Sequence, residues 1–295
     1  MNVFQKAGAA VKTKTKEGLL SAHVSTMRVV ATDAPINAKG EEDAGCFRDF
    51  QLVEIPDVME HRLNAPQGAD LMRRWFNSPS FSLPESWRSS NVNFMGVPAN
   101  HVDTTIIKMN WVAGFPRARA KLNQLEQHYV NTPKASRELK RVLTRQGLIK
   151  QARLPIGTSS DAVVLHETAH LNSAGVEFGR SVDPLDCALA SFTLHMAVSG
   201  FVQPTMPAVL SHTHEVEINK LHFYVRDSYD FTSEKEQLGF WSRDGASSSI
   251  YDPKRVFVEN RAFRNWRDRH GRGGDFVIFS DVMTKVLPTP ITIFI

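Results

Sequence analysis

Hydrophobic positions recur with two different periods along this chain, and the change of period divides it. Leu71, Met72, Trp75 and Phe76 fall at helical spacing, and Pro79 and Pro84 end the pattern. A second helix is delimited more sharply: Thr132 offers a cap, Pro133 suits the first turn and Gly147 suits the far end. Within it Leu139, Val142 and Leu143 form the stripe to be buried, while Arg137, Lys140, Arg141 and Arg145 are expected to face solvent. From about residue 183 the period shortens to two. Phe192, Leu194, Met196 and Val198 alternate with Thr193, His195 and Ala197, the pattern of a strand with one buried face. His214–Ile218 with Leu221–Val225 predicts a second, long and bulged strand, and Asp275–Phe279 and Ile291–Ile295 predict two more. Phe263 and Trp266 mark a short helix that ends at Gly271. The expected fold class is α+β, a helical N-terminal half packed on a mostly antiparallel, β-rich C-terminal half.

Residues 1–50 lack a sustained period and end in the acidic stretch Gly40–Gly45, so they read as a flexible arm. The remainder divides into a mainly helical region, 51–182, and a β-rich region, 183–295, that carries the candidate site. A hydrophobic content of 42% with 22% charged residues excludes a disordered chain. The 35 basic residues against 31 acidic ones leave a net charge of +4, too even for a dedicated nucleic-acid binder. Two cysteines, Cys46 and Cys187, exclude a disulfide scaffold, and in a protein folded in the cytoplasm they are expected to stay unbridged. The first 30 residues contain no apolar signal core, and no stretch approaches the ~20 apolar residues of a membrane span. The expectation is synthesis in the cytoplasm with no Sec signal and no transmembrane segment.

Three segments carry candidate chemistry. His166-Glu167-Thr168-Ala169-His170 is a His-Glu-x-x-His sequence, which on a helix places both imidazoles on one face with a glutamate able to polarise a zinc-bound water. No third ligand follows at the expected spacing, since Ser173 and Val176 stand where glycine and histidine are wanted, so little or no zinc is expected. His212 and His214 form a lesser His-x-His pair. In Asp227-Ser228-Tyr229-Asp230, two carboxylates flank a tyrosine at a strand end, suited to acid–base work or to a divalent cation such as Mg. The other reading is that these aspartates cap backbone amides in a turn. Downstream, Arg267, His270 and Arg272 crowd a glycine turn at 271–275 that is able to hold a phosphate, or else to pair with nearby acids. Asp227, Tyr229, Asp230 and His270 are thus the catalytic candidates, and Arg267, Arg272, Trp241 and Trp266 the binding candidates.

Ile55-Pro56-Asp57-Val58-Met59, Ala69–Met72 with Trp75-Phe76, a Met109-Asn110-Trp111 strand, Leu185–Leu189, Arg226–Phe231, Leu238–Trp241, and Asn260–Arg267 leading into Gly273–Phe276 and Ser280-Asp281-Val282 resemble an uncharacterised proteobacterial family. The resemblance spans roughly residues 52–295, and its members tend to be encoded beside type VI secretion components. It implies an antibacterial effector, a toxin of interbacterial competition exported by that route, with a spike or adaptor protein and a cognate immunity protein as partners. The alternative it leaves is a non-enzymatic adaptor, cargo-binding or immunity protein of the same system. A shorter stretch, Asp227, Tyr229 and Asp230, resembles the Asp-x-Tyr-Asp motif of colicin M-like toxins, which cleave a lipid-linked peptidoglycan precursor at its diphosphate. That family continues with His-Arg where this chain has Glu236 and Gln237.

Overall fold

The computed structural model describes residues 50–88, 92–179, 182–205, 213–233, 236–247 and 255–295. Cys46, His212 and all but the last residue of the expected arm at 1–50 therefore lie outside the described residues. The helices are α1 (Ile55–His61), α2 (Pro66–Asn77), α3 (Glu85–Arg88), α4 (Met109–Val112), α5 (Pro116–His128), α6 (Pro133–Arg145), α7 (Ala162–Thr168), α8 (Pro184–Leu189) and α9 (Asn260–His270). The strands are β1 (Val102–Asp103), β2 (Leu154–Ile156), β3 (His170–Val176), β4 (Phe192–Pro204), β5 (His214–Tyr229), β6 (Gln237–Ser242), β7 (Gly245–Ser247), β8 (Val256–Glu259), β9 (Phe276–Phe279) and β10 (Met283–Phe294). Helices lie mostly in the N-terminal half and strands mostly in the C-terminal half, an α+β fold. No helix among the described residues is long and apolar enough to cross a membrane.

The chain forms two compact units, each assembled from separate stretches. One unit comprises the described parts of Met1–Leu83, Ser181–Ala188 and Asp230–Asp275. Its strands form a three-stranded antiparallel sheet in the order β7-β6-β8. The predicted stripe of α2 is buried as expected, and Trp75 lies at its centre. The Trp75 indole donates to Asp275 at 2.8 Å, and its ring meets Phe231 and Phe263 edge-on at 5.0 and 5.4 Å. Gly273, at φ +94°, passes over this ring so closely that a Cβ would fall 2.5 Å from the indole. No side chain fits there, and the positive φ suits only glycine. Arg267 is buried against Asp275 in an ion pair and lies over Trp75.

The other unit comprises Pro84–Arg180, Leu189–Tyr229 and Phe276–Ile295. Its sheet has seven strands in the order β1-β9-β5-β4-β2, with β10 also on β5 and β3 also on β4. The two long strands explain this branching. Residues 215–223 of β5 pair with β10 and residues 226–229 with β9; residues 192–197 of β4 pair with β3 and residues 200–202 with β2. All these pairs are antiparallel, and β1 joins β9 in parallel. Met109-Asn110-Trp111, expected as a strand, forms the short helix α4. Pro288 and Pro290 sit where the β10 register breaks, between Val286 and Ile291, which is why only its last residues were visible as a strand in the sequence.

The helix expected from Thr132 forms as α6: the Thr132 side chain accepts from the Ala135 amide at 3.1 Å, and Leu139, Val142 and Leu143 are fully buried. Helices α5 and α6 both pack on β3. Arg145 faces solvent as expected, and its guanidinium also pairs with the buried Glu167 at 2.8 Å. Strand β4 departs from expectation. His195 and Ala197, on its supposedly exposed face, are buried, because α6 and α7 belong to this unit and its sheet carries residues on both faces.

Candidate metal centre

The His-Glu-x-x-His sequence straddles the end of a helix. Asp161 caps α7 by accepting from the amides of Val163 and Val164 at 2.7 and 3.1 Å. Thr168 closes it by donating to the Val164 carbonyl at 2.7 Å, and Ala169 leaves helical geometry at φ −150°. His166 therefore belongs to the last helical turn, whereas His170 opens β3. This corrects the expectation that both sit one turn apart on one helix.

A bulge then aims His170. Asn172 pairs with Met196, so a regular ladder would set residue 171 opposite Ala197 and residue 170 on the Met196 face. Leu171 is inserted instead, and His170 lies opposite Ala197, on the face that carries His195. The missing third ligand is His195. One ring nitrogen from each of His166, His170 and His195 lies within 4.8 Å of the others. Nε2 of His170 and Nδ1 of His195 are 3.1 Å apart. Nitrogens bound tetrahedrally to one zinc ion at ~2.0–2.1 Å stand ~3.3 Å apart, so this pair already has the required spacing. None of the three is more than 9% exposed.

The surroundings hold these rings from behind. Nδ1 of His170 lies 3.2 Å from Oε1 of Glu138 on α6, and Nδ1 of His166 lies 3.0 Å from the Tyr224 hydroxyl. A carboxylate at Nδ1 fixes the proton there and directs the Nε2 lone pair inward, the usual carboxylate–histidine–metal arrangement. Tyr224 is opposite His195 in the β4–β5 register and stacks on it at 5.6 Å. Phe94 and Phe279 close the centre with apolar rings.

The electrostatics favour a neutral His166. Burial, reinforced by the charges of His170 and Arg226, holds His166 well below the usual histidine range, so its lone pair is available to a cation. Burial pushes the Tyr224 phenol well above its ordinary value, and it stays a neutral hydrogen-bonding group. Burial alone would raise the Glu138 carboxyl, but hydrogen bonds from His170 and Arg141 outweigh it and hold the group far below the usual range. Three imidazoles suit zinc and other first-row transition metals, whereas Mg prefers oxygen ligands.

Glu167, the glutamate of the sequence motif, is 1% exposed and fully engaged. Its Oε2 pairs with Arg145 at 2.8 Å and its Oε1 accepts from the Phe94 amide at 3.0 Å.

The other sequence-predicted residues are spread over both units. In the sheet unit, Asp227 and Tyr229 are half-buried on β5, opposite Ile278 and Phe276, and Tyr229 stacks on Phe276 at 5.1 Å. In the Trp75 unit, Asp230 accepts from the amide and hydroxyl of Thr232, the capping role weighed for it above. His270 is exposed on Trp266 at 4.5 Å, and Arg272 is exposed and bonds Asn77 at 2.6 Å. Arg267 is buried under Trp75, and Trp241 is 7% exposed with its indole donating to Leu238. Both of the last two, expected as binding residues, are buried. Trp266 is half-buried. His214 is buried and bonds Thr213 and the Lys150 carbonyl.

His195 was legible only as one polar position in the alternation of β4. Its role requires β3 and β4 to be neighbours with one inserted residue, which no spacing in the sequence encodes.

A family model described as "Family of unknown function (DUF6402)" matches residues 50–255 and 247–295. No curated protein and no solved structure matches the chain.

Proposed function

Since the chain belongs to this DUF6402 family of unknown function, we propose from its own geometry that it is a metal-dependent hydrolytic effector, with zinc held by His166, His170 and His195. The observation that carries this reading is the convergence of three buried imidazoles, two of them with ring nitrogens 3.1 Å apart. Three protein ligands leave a fourth position for water or substrate, the pattern of catalytic rather than structural zinc sites. Zinc held there would supply Lewis-acid chemistry and activate a water for hydrolysis. Glu138 fixes the proton of His170, Tyr224 orients His166, and the aromatic shell lowers the local dielectric in which charge on a substrate is stabilised. The role as an antibacterial toxin exported by type VI secretion is supported by the sequence resemblance. A spike or adaptor protein and an immunity protein are its proposed partners.

The test is growth of a naive bacterium expressing the chain, once in the cytoplasm and once with an added export signal. Toxicity in one compartment, lost in His195→Ala at an equal level of folded protein, is the expected result. No growth defect in either compartment would overturn the effector reading and favour an adaptor. Undiminished toxicity of His195→Ala would place the active site elsewhere.

A further inference from the structure

The centre is covered on one side by a single residue of a short turn, and the same turn grips Glu167. Phe94 is 1% exposed, although its neighbours Asn93, Met95 and Gly96 are all exposed. Its ring stands edge-on to His166 at 5.9 Å and to Phe279 at 5.5 Å, and the Arg226 guanidinium lies over it at 4.5 Å. Its amide donates to Oε1 of Glu167 at 3.0 Å. One buried side chain and one backbone hydrogen bond therefore tie the turn to the site.

The turn also has hydrogen bonds of its own. The Asn93 side chain accepts from the Met95 amide at 3.1 Å, and the amides of Gly96 and Val97 return to the carbonyls of Asn93 and Phe94 at 3.1 and 3.2 Å. None of these bonds involves Glu167 or the histidines, so the turn can withdraw as a unit while keeping its internal structure. Withdrawal therefore costs chiefly the burial of the Phe94 ring and its one amide bond to Glu167.

We propose that the Phe94 turn is a gate on the metal centre. Seated, it shields the three histidines from solvent and substrate and occupies Oε1 of Glu167. Withdrawn, it opens a path to the fourth coordination position and releases that oxygen from the Phe94 amide. The proposal rests on the reading of the three histidines as metal ligands, and it adds that access to them is controlled from residues 93–97.

Cobalt(II) uptake by metal-free protein, followed through the visible bands of the bound ion, separates the two claims. Native protein is expected to load slowly, and Phe94→Ala at least about tenfold faster, because losing the ring shifts the population towards the open form. Both should reach the same final spectrum and stoichiometry, and Met95→Ala should load at the native rate. Equal rates for native protein and Phe94→Ala, with equal stoichiometry and matched circular dichroism, would overturn the gate and leave the metal centre standing. If Phe94→Ala does not fold, Phe94→Leu decides: loading faster than native supports the gate, and the native rate overturns it. If no form of the protein binds cobalt, the metal reading itself falls and the gate with it.

Discussion

Glu138 touches the metal centre only through His170, which makes it a direct probe of how the ligands are oriented. Its Oε1 lies 3.2 Å from Nδ1 of His170, and the same carboxylate bonds Arg141 through Nε at 3.1 Å and Nη2 at 2.6 Å. Removing an outer carboxylate of this kind typically weakens metal binding about 10–100-fold. Glu138→Gln keeps an acceptor oxygen for Nδ1–H and loses only the charge, so its zinc affinity should fall about tenfold, or ~1.4 kcal/mol. Glu138→Ala also loses the hydrogen bond and should approach the hundredfold end of that range, about 2.8 kcal/mol. Arg141→Leu removes a partly exposed pair one helical turn away, worth ~0.3–0.5 kcal/mol, and should change affinity less than about threefold. Competition for zinc against a chromophoric chelator measures all three, with circular dichroism confirming the fold. Native affinity in Glu138→Ala would refute the argument that this carboxylate sets the tautomer and direction of His170.

Two further outcomes concern the other unit. Arg267→Ala strands the buried Asp275 carboxylate, whose remaining partners are the Trp75 indole and the Leu83 amide. Breaking a buried pair from one side destabilises by about 3–5 kcal/mol, and the melting temperature should fall by roughly 6–20 °C; a shift of less than about 2 °C would refute the pair's role. Burial, with the charges of Asp186 and Asp183, pushes the Cys187 thiol up to about 12. The peptide containing Cys187 should therefore resist iodoacetamide at pH 8 in folded protein and react in urea, as peptide mass spectrometry will show, and rapid alkylation of folded protein would contradict this.

Much of the fold was legible because its signals are local. Thr132, Pro133 and Gly147 bracket α6 by capping chemistry alone, and the alternation from Phe192 places β4 without knowledge of its neighbours. The helix that ends at Gly271 was also predicted, and Gly271 adopts the left-handed cap at φ +62°. What failed was non-local. Arg145 is solvent-facing as read, but its partner Glu167, 22 residues further along the chain, has no local signal. Met109-Asn110-Trp111, read as a strand with the family resemblance, becomes a helix whose first amide is held by Asp281 at 2.6 Å. The candidate site shows the same division. The spacing of His166 and His170 was visible, but their geometry depends on where α7 ends, on the inserted Leu171 and on a histidine from another strand. Asp227, Tyr229 and Asp230 stood out because they are close in sequence; in the structure Asp230 accepts from the Thr232 amide and Tyr229 stacks on Phe276.

The central claim is that His166, His170 and His195 hold one metal ion, and metal content measured by elemental analysis tests it most directly. Protein purified without chelator and supplied with zinc should retain about one equivalent per chain. His195→Ala, with native circular dichroism, should lose most of it, and so should His166→Ala and His170→Ala. A native chain that retains no zinc or other first-row metal after buffer exchange, or a His195→Ala variant that retains a full equivalent, would contradict the account.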